Sequence, residues 1–203
     1  MISLDALLAN PQVVRLCAAF AARDAIAAED EQGVRRAAVA LVLRGSESAS
    51  PELLFIKRAE YPGDPWSGQV AFPGGREEPG DRSPLDTAIR ETREETGIDL
   101  EHEGKVIGTL DDLRPQTIRL PAVVVRPFVA VVARDEPLVL SQEAALAFWI
   151  PLDALNIEDE WRDTPVFARG IQINRRAFHH EGHVIWGMTE RILGQFLQLL
   201  REN

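Results

Sequence analysis

Residues 72–98 read FPGGREEPGDRSPLDTAIRETREETGI, a glycine-rich turn followed at once by a short helix studded with carboxylates. Ser83 supplies an N-cap, Pro84 the first helical position and Asp86 an acidic first turn. Gly97 stands where a left-handed cap ends a helix, so the helix is expected over 84–96. Within it Leu85, Ala88, Ile89 and Thr92 form a stripe to be buried. Glu91, Glu94 and Glu95 fall at i, i+3 and i+4 on another face, where three carboxylates are expected to converge.

At that spacing Cβ atoms lie about 5–6 Å apart, and like-charge repulsion costs only roughly 0.2–0.5 kcal/mol per pair. The acids alone therefore fit a solvated face with Arg90 and Arg93 as partners equally well. The turn upstream changes the balance. Pro73, Gly74 and Gly75 let backbone approach a ligand with no side chain in the way. A carbonyl of that turn joined to the helix glutamates would make a hard, oxygen-only shell of the kind magnesium or manganese takes.

The spacing Gly-x5-acid, followed by Arg-Glu-x-x-Glu-Glu-x-Gly and an aliphatic residue, resembles the signature of Nudix hydrolases. Here it is carried by Gly75, Asp81, Arg90, Glu91, Glu94, Glu95, Gly97 and Ile98. Three positions depart from the common pattern. Asp81 replaces a glutamate, eight residues rather than seven separate it from Arg90, and Thr92 stands where an aliphatic residue or alanine is usual. The resemblance implies an α/β fold, an α/β/α sandwich around a mixed sheet. It also implies Mg2+ or Mn2+ held by Glu91, Glu94, Glu95 and Gly74, with Arg90 orienting the glutamates.

Flanking phrases narrow the resemblance. Leu53 to Gly75 reads LLFIKRAEYPGDPWSGQVAFPGG, and Val184 to Leu200 reads VIWGMTERILGQFLQLL. Both are similar to segments of coenzyme A diphosphatases, although an arginine common in the first is absent near Gly63 and Asp64. This implies substrate contacts from Arg58, Gln69 and Gly75, and cleavage of coenzyme A or acyl-CoA to 3′,5′-ADP and 4′-phosphopantetheine or its acyl form. Same-family alternatives are ADP-ribose, nucleotide sugars, dinucleoside polyphosphates or nucleoside triphosphates. An alternative of another class is a regulatory module that binds a nucleotide without turnover. The stretch EAALAFWIPL, from Glu143, resembles a downstream Nudix segment whose first acid reaches the metals or serves as base. Either Glu94 or Glu143 is thus expected to accept the proton.

The rest of the chain is consistent with one large domain. A chain of 203 residues, 45% of them hydrophobic, buries roughly 70% of its unfolded surface as a single unit. The domain is expected over 34–203, with the C-terminal helix included and a helical extension over 1–33. Formal charge is −10, and residues 76–103 hold ten acids against four bases. Such a surface repels polyanions, which argues against nucleic acid, while a small nucleotide diphosphate as substrate is what the resemblance implies. Cys17 is the sole cysteine, leaving no disulfide framework. No basic leader and no long apolar run is present, so a cytoplasmic protein without membrane contact is expected. A homodimer is among the oligomeric states left open.

Hydrophobic periodicity assigns a helix to 13–28, strands to 34–43, 53–57 and 105–110, and a long β-branched run to 120–133. The prolines Pro121 and Pro127 mark that run as an edge or a bulge. A hairpin is expected over 166–178, turning near Arg169 and Gly170, and a last helix over 187–201. His180-Glu181-Gly182-His183 lacks the spacing of a zinc-protease helix and reads as a polar hairpin turn. Trp66, Phe72 and Trp186 are aromatic candidates for contact with a base, the latter two also fitting a packed core.

Overall fold

The computed structural model describes residues 2–29, 31–46, 50–64, 66–115, 122–133, 137–168 and 171–201. Two helices, α1 (Leu4–Leu8) and α2 (Pro11–Ala21), lead into β1 (Arg35–Arg44), β2 (Glu52–Arg58), β3 (Val70–Ala71) and β4 (Gly74–Arg76). Helix α3 (Pro84–Thr96) follows, then β5 (Gly104–Thr109), β6 (Val123–Val132) and β7 (Ala144–Pro151). Two 3-10 turns, Ala154–Asn156 and Glu158–Glu160, precede β8 (Trp161–Ala168), β9 (Ile171–His180), β10 (His183–Trp186) and α4 (Met188–Arg201).

The main sheet has seven strands in the order β3-β2-β1-β6-β5, with β4 paired to β1 and β7 to β2. Only β1 and β6 run parallel, which makes the sheet mixed. Alternation along β1 sends Leu41 and Leu43 to one face and Ala38, Ala40 and Val42 to the other. The first face packs Leu7 of α1, Val13 and Leu16 of α2, and Ile192 and Phe196 of α4 into one cluster. The second receives Ala88 of α3, and the small alanines of β1 leave room for that helix to lie close. The result is the expected α/β/α sandwich.

Three local expectations are corrected. The helix expected over 13–28 ends at Ala21. Beyond it Asp111 Oδ1 accepts the N–H of Ile26, and Asp112 Oδ2 accepts that of Ala28, so side chains from another segment hold residues 26–28 out of the helix. Pro127 does not mark an edge, because β6 lies between β1 and β5. Its carbonyl accepts the N–H of Leu110 just where β5 ends, so its missing N–H costs the ladder little, and the bulge falls in β5 between Val106 and Gly108. The hairpin expected over 166–178 is longer, β8 to β9, and gains β10 to form a separate three-stranded sheet. Pro121, Arg169 and Gly170 lie outside the described residues. Among those described, no helix is long and apolar enough to cross a membrane.

Candidate active site

Helix α3 begins and ends as its caps dictate. Ser83 accepts the N–H of Asp86 at the start, and Gly97 closes the end in a left-handed conformation at φ 73°. Thr92, at the position where an aliphatic residue is common, is buried and returns its hydroxyl to the Ala88 carbonyl at 2.6 Å. A polar side chain thereby packs in the core without losing a hydrogen bond.

Strand β4 brings the glycine turn to this helix. The Pro73 carbonyl accepts the N–H of Ala40 in β1, so the trans peptide points the Gly74 N–H the opposite way. That N–H donates to Glu95 Oε2 at 2.9 Å. A Cβ on Gly74 would overlap the Ala38 carbonyl, and one on Gly75 would overlap the Glu91 carboxylate. Backbone therefore requires glycine at 74, whereas at 75 a side chain would displace only the Glu91 carboxylate.

The three helix glutamates differ sharply in surroundings. Glu95 is only 2% exposed. Burial pushes its carboxyl up to about 7, against the hydrogen bond from Gly74 and the charge of Arg58, which pull it down. Glu91 is half-buried, and burial raises its pKa too, opposed mainly by Arg90. Glu94 has an exposed side chain and touches Arg90 Nη1 at 3.4 Å. The expected convergence is thus corrected: α3 is flanked on one side by β4, while the Ser141 N–H bonds the Glu95 carbonyl and the Val139 N–H that of Thr96, and only Glu91 and Glu95 lie under that cover.

Arg90 is the hub of the arrangement. It donates through Nε and Nη2 to both oxygens of Asp81 at 3.1 and 3.0 Å, and through Nη2 to the Arg76 carbonyl at 3.0 Å. It reaches Glu91 Oε1 at 3.0 Å. The guanidinium holds Asp81 well below the usual carboxylate range, and Asp81 also accepts from the Thr87 hydroxyl at 2.9 Å.

A cavity of about 550 Å³ opens over this corner, lined by Arg58, Gln69, Gly74, Gly75, Glu91 and Glu143 together with Trp66 and apolar residues of β1, β6 and α4. Six candidate positions far apart in sequence therefore share one wall. Glu143 is exposed on the turn before β7, and its charge raises the pKa of both Glu91 and Glu95. Arg58 donates to Asp64 at 3.1 Å and keeps a buried Nε without a hydrogen-bond partner. Glu94 is not on the wall, and Glu95 lies behind Gly74. Phe72 is 3% exposed and packs on Phe55, so it belongs to the core.

Thr189 of α4, missed in sequence, also lines the cavity and donates to the Val70 carbonyl at 3.0 Å. Its only signal was its place in the stretch Val184 to Leu200. Among the described residues, the sole trio of His, Asp or Glu with ligand atoms all within 4.8 Å is Asp99, Glu101 and His102. Asp99 there accepts from the backbone of Glu101 and His102 and pairs with the His102 ring, which accounts for the cluster as a turn.

The NUDIX domain model matches residues 34–170. The chain belongs to the Nudix family. An uncharacterized Nudix hydrolase NudL of Yersinia pestis is 33% identical over 150 residues, covering 73% of this chain and 72% of that protein. The NudL of Yersinia pseudotuberculosis matches equally. Among solved structures, a MutT/nudix family protein of Enterococcus faecalis superposes with TM-score 0.55 at 17% identity, covering 93% of this chain and 69% of that one. A C. elegans Ap4A hydrolase in a binary complex matches with TM-score 0.50 at 26% identity, covering 62% of this chain and 87% of that one. This Nudix chain carries a hydrolase domain, and its elements β9, β10 and α4 lie beyond the matched residues.

The donor set suits a divalent cation. Glu91, Glu95 and Glu143 are mutually repelling carboxylates at one corner. The second oxygen of Glu95 has no hydrogen bond among the described residues. A hard cation with oxygen ligands would relieve the cost that burial imposes on both helix acids.

Proposed function

We propose that this Nudix hydrolase cleaves the diphosphate of a nucleoside diphosphate joined to a second group, in the cavity bounded by Arg58, Glu91 and Glu143. The observation that carries the reading is the meeting of one cation and two carboxylates with the Gly74-Gly75 backbone on that wall. In this reading Glu91, Glu95 and the Gly74 carbonyl hold Mg2+ or Mn2+, and Glu94 joins them. A divalent ion bound there neutralises charge developing on the diphosphate and acidifies water.

The remaining work falls to the chain. Arg58 meets a diphosphate oxygen with its guanidinium, and Gln69 fixes the adjoining group. Arg90, anchored by Asp81, keeps Glu91 turned toward the cavity. Glu143, on the same cavity and open to solvent, accepts the proton of the attacking water. Trp66 offers a face for a base.

The phrases Leu53 to Gly75 and Val184 to Leu200 favour coenzyme A as the substrate. The likeness to the C. elegans Ap4A hydrolase favours a dinucleoside polyphosphate instead. Product analysis separates them: the purified protein, with Mg2+ and then Mn2+, is incubated with coenzyme A, ADP-ribose, a nucleotide sugar, a dinucleoside tetraphosphate and a nucleoside triphosphate. Release of 3′,5′-ADP, lost in Glu95→Gln, is the outcome for coenzyme A. Preference for another compound changes the substrate and keeps the site, whereas ligand-induced stabilisation without product from any of them overturns hydrolysis in favour of binding.

A further inference from the structure

A second cavity of about 650 Å³ adjoins the first and shares Gly63, Asp64, Gln69 and Val70 with it. Its near wall is Lys57 with Gly63, Asp64 and residues 67–70. Its far wall is β8 and the strand β10, with Thr164, His183 and Trp186 facing the space. Much of that far wall lies beyond residue 170, outside the family-matched part of the chain.

The charges in this space do not cancel. Lys57 and Arg58 are consecutive on β2, at a register shift against β7, and they line one cavity each. Asp64, the acid common to both, is already paired with Arg58 at 3.1 Å. Lys57 is half-buried and makes no ion pair or side-chain hydrogen bond with any described residue. The His183 ring beside it is held by stacking on Phe148, with centroids 4.2 Å apart. An ammonium left without a counter-charge, in a chain of net charge −10, is the opposite of what general surface composition would produce. It is what recognition of an anion requires.

We propose that the second cavity binds a phosphate or similar anionic group carried by the substrate beyond the scissile diphosphate, with Lys57 as its cation. The inference rests on the diphosphatase reading and adds a requirement to it: a substrate that carries a further phosphate outside the diphosphate that is cut. A diphosphate over Arg58 would run toward Lys57 across the shared residues, and the wall from β8 to β10 would set which group is accepted.

The test uses substrate pairs that differ by one phosphate, coenzyme A with dephospho-coenzyme A and ADP-ribose 2′-phosphate with ADP-ribose. The readout is the ratio of kcat/KM between the members of each pair, for the full chain and for Lys57→Gln and Lys57→Arg, with thermal unfolding to confirm that each variant folds. Lys57→Gln is expected to lower the ratio about tenfold or more for at least one pair, through KM rather than kcat, as loss of a charged hydrogen bond would. Lys57→Arg, which keeps the charge, is expected to retain most of it. A ratio unmoved by Lys57→Gln, while the enzyme still turns over, overturns the inference and leaves the diphosphatase reading standing. Turnover of none of the four compounds overturns the inference, and the diphosphatase reading is then decided separately by the nucleotide sugar, the dinucleoside tetraphosphate and the nucleoside triphosphate.

Discussion

Asp81 grips Arg90 from both sides, its Oδ1 accepting from Nε at 3.1 Å and its Oδ2 from Nη2 at 3.0 Å. The family pattern has a glutamate here and one residue fewer before the arginine. In this chain Asp81, separated from Arg90 by eight residues, still meets the guanidinium with both oxygens. A planar fork held at two points fixes the direction in which the third contact, to Glu91, can lie.

It follows that Asp81→Asn should lower kcat by about tenfold or more, because one arm of the fork then meets an amide N–H. Arg90→Lys should do at least as much, since an ammonium cannot bridge both oxygens and Glu91 together. Steady-state kinetics with circular dichroism as a folding control checks this. Equal kcat in Asp81→Asn and the parent would mean that Glu91 needs no such anchor.

Gly75 makes a second prediction. A Cβ there would overlap the Glu91 carboxylate, which is the movable end of a side chain. Gly75→Ala should therefore fold normally but weaken binding of Mn2+, read by calorimetric titration, by about tenfold. Unchanged affinity would remove Glu91 from the metal site.

Burial of Glu95 gives a pH dependence whose sign is fixed. Its carboxyl is raised from 4.5 to about 7 in the folded chain, so the folded state binds the proton more tightly than the unfolded one. The corresponding stability is fully present below about 4.5 and is lost as pH rises to about 7. It is of the order of 3 kcal/mol. In EDTA, Tm should fall over this window, Mg2+ should restore it at pH 7.5, and Glu95→Gln should flatten the curve. A metal-free protein with the same Tm at pH 5 and pH 7.5 would contradict the assignment.

Much of this site was legible in sequence because its determinants are local or belong to a spacing pattern. Ser83, Pro84 and Gly97 define α3 wherever it packs, and the signature carried Gly74, Arg90 and Glu91 with it. What spacing could not tell was burial. Glu94 and Glu95 are neighbours on one helix, yet the cover from β4 and residues 139–141 shuts only Glu95 from water. The cavity around Lys57 was equally unreadable, since β10 joins β8 and β9 through tertiary pairing that periodicity does not encode. The early end of α2 had the same origin, in Asp111 and Asp112, more than eighty residues away.

Glu94 supplies the sharpest test of the metal site. Its side chain is 55% exposed and its one ion pair among the described residues, to Arg90, is long at 3.4 Å. Such a pair is worth roughly 0–1 kcal/mol, so a divalent ion on the neighbouring acids can win the carboxylate from Arg90 at little cost. Glu94→Gln should then weaken Mn2+ binding about tenfold and lower kcat on the order of 10². Glu77→Gln, a change at an exposed acid next to β4, should alter neither. If Glu94→Gln instead binds Mn2+ as the parent does, the carboxylate stays with Arg90 throughout, and the metal is held by Glu91 and Glu95 without it.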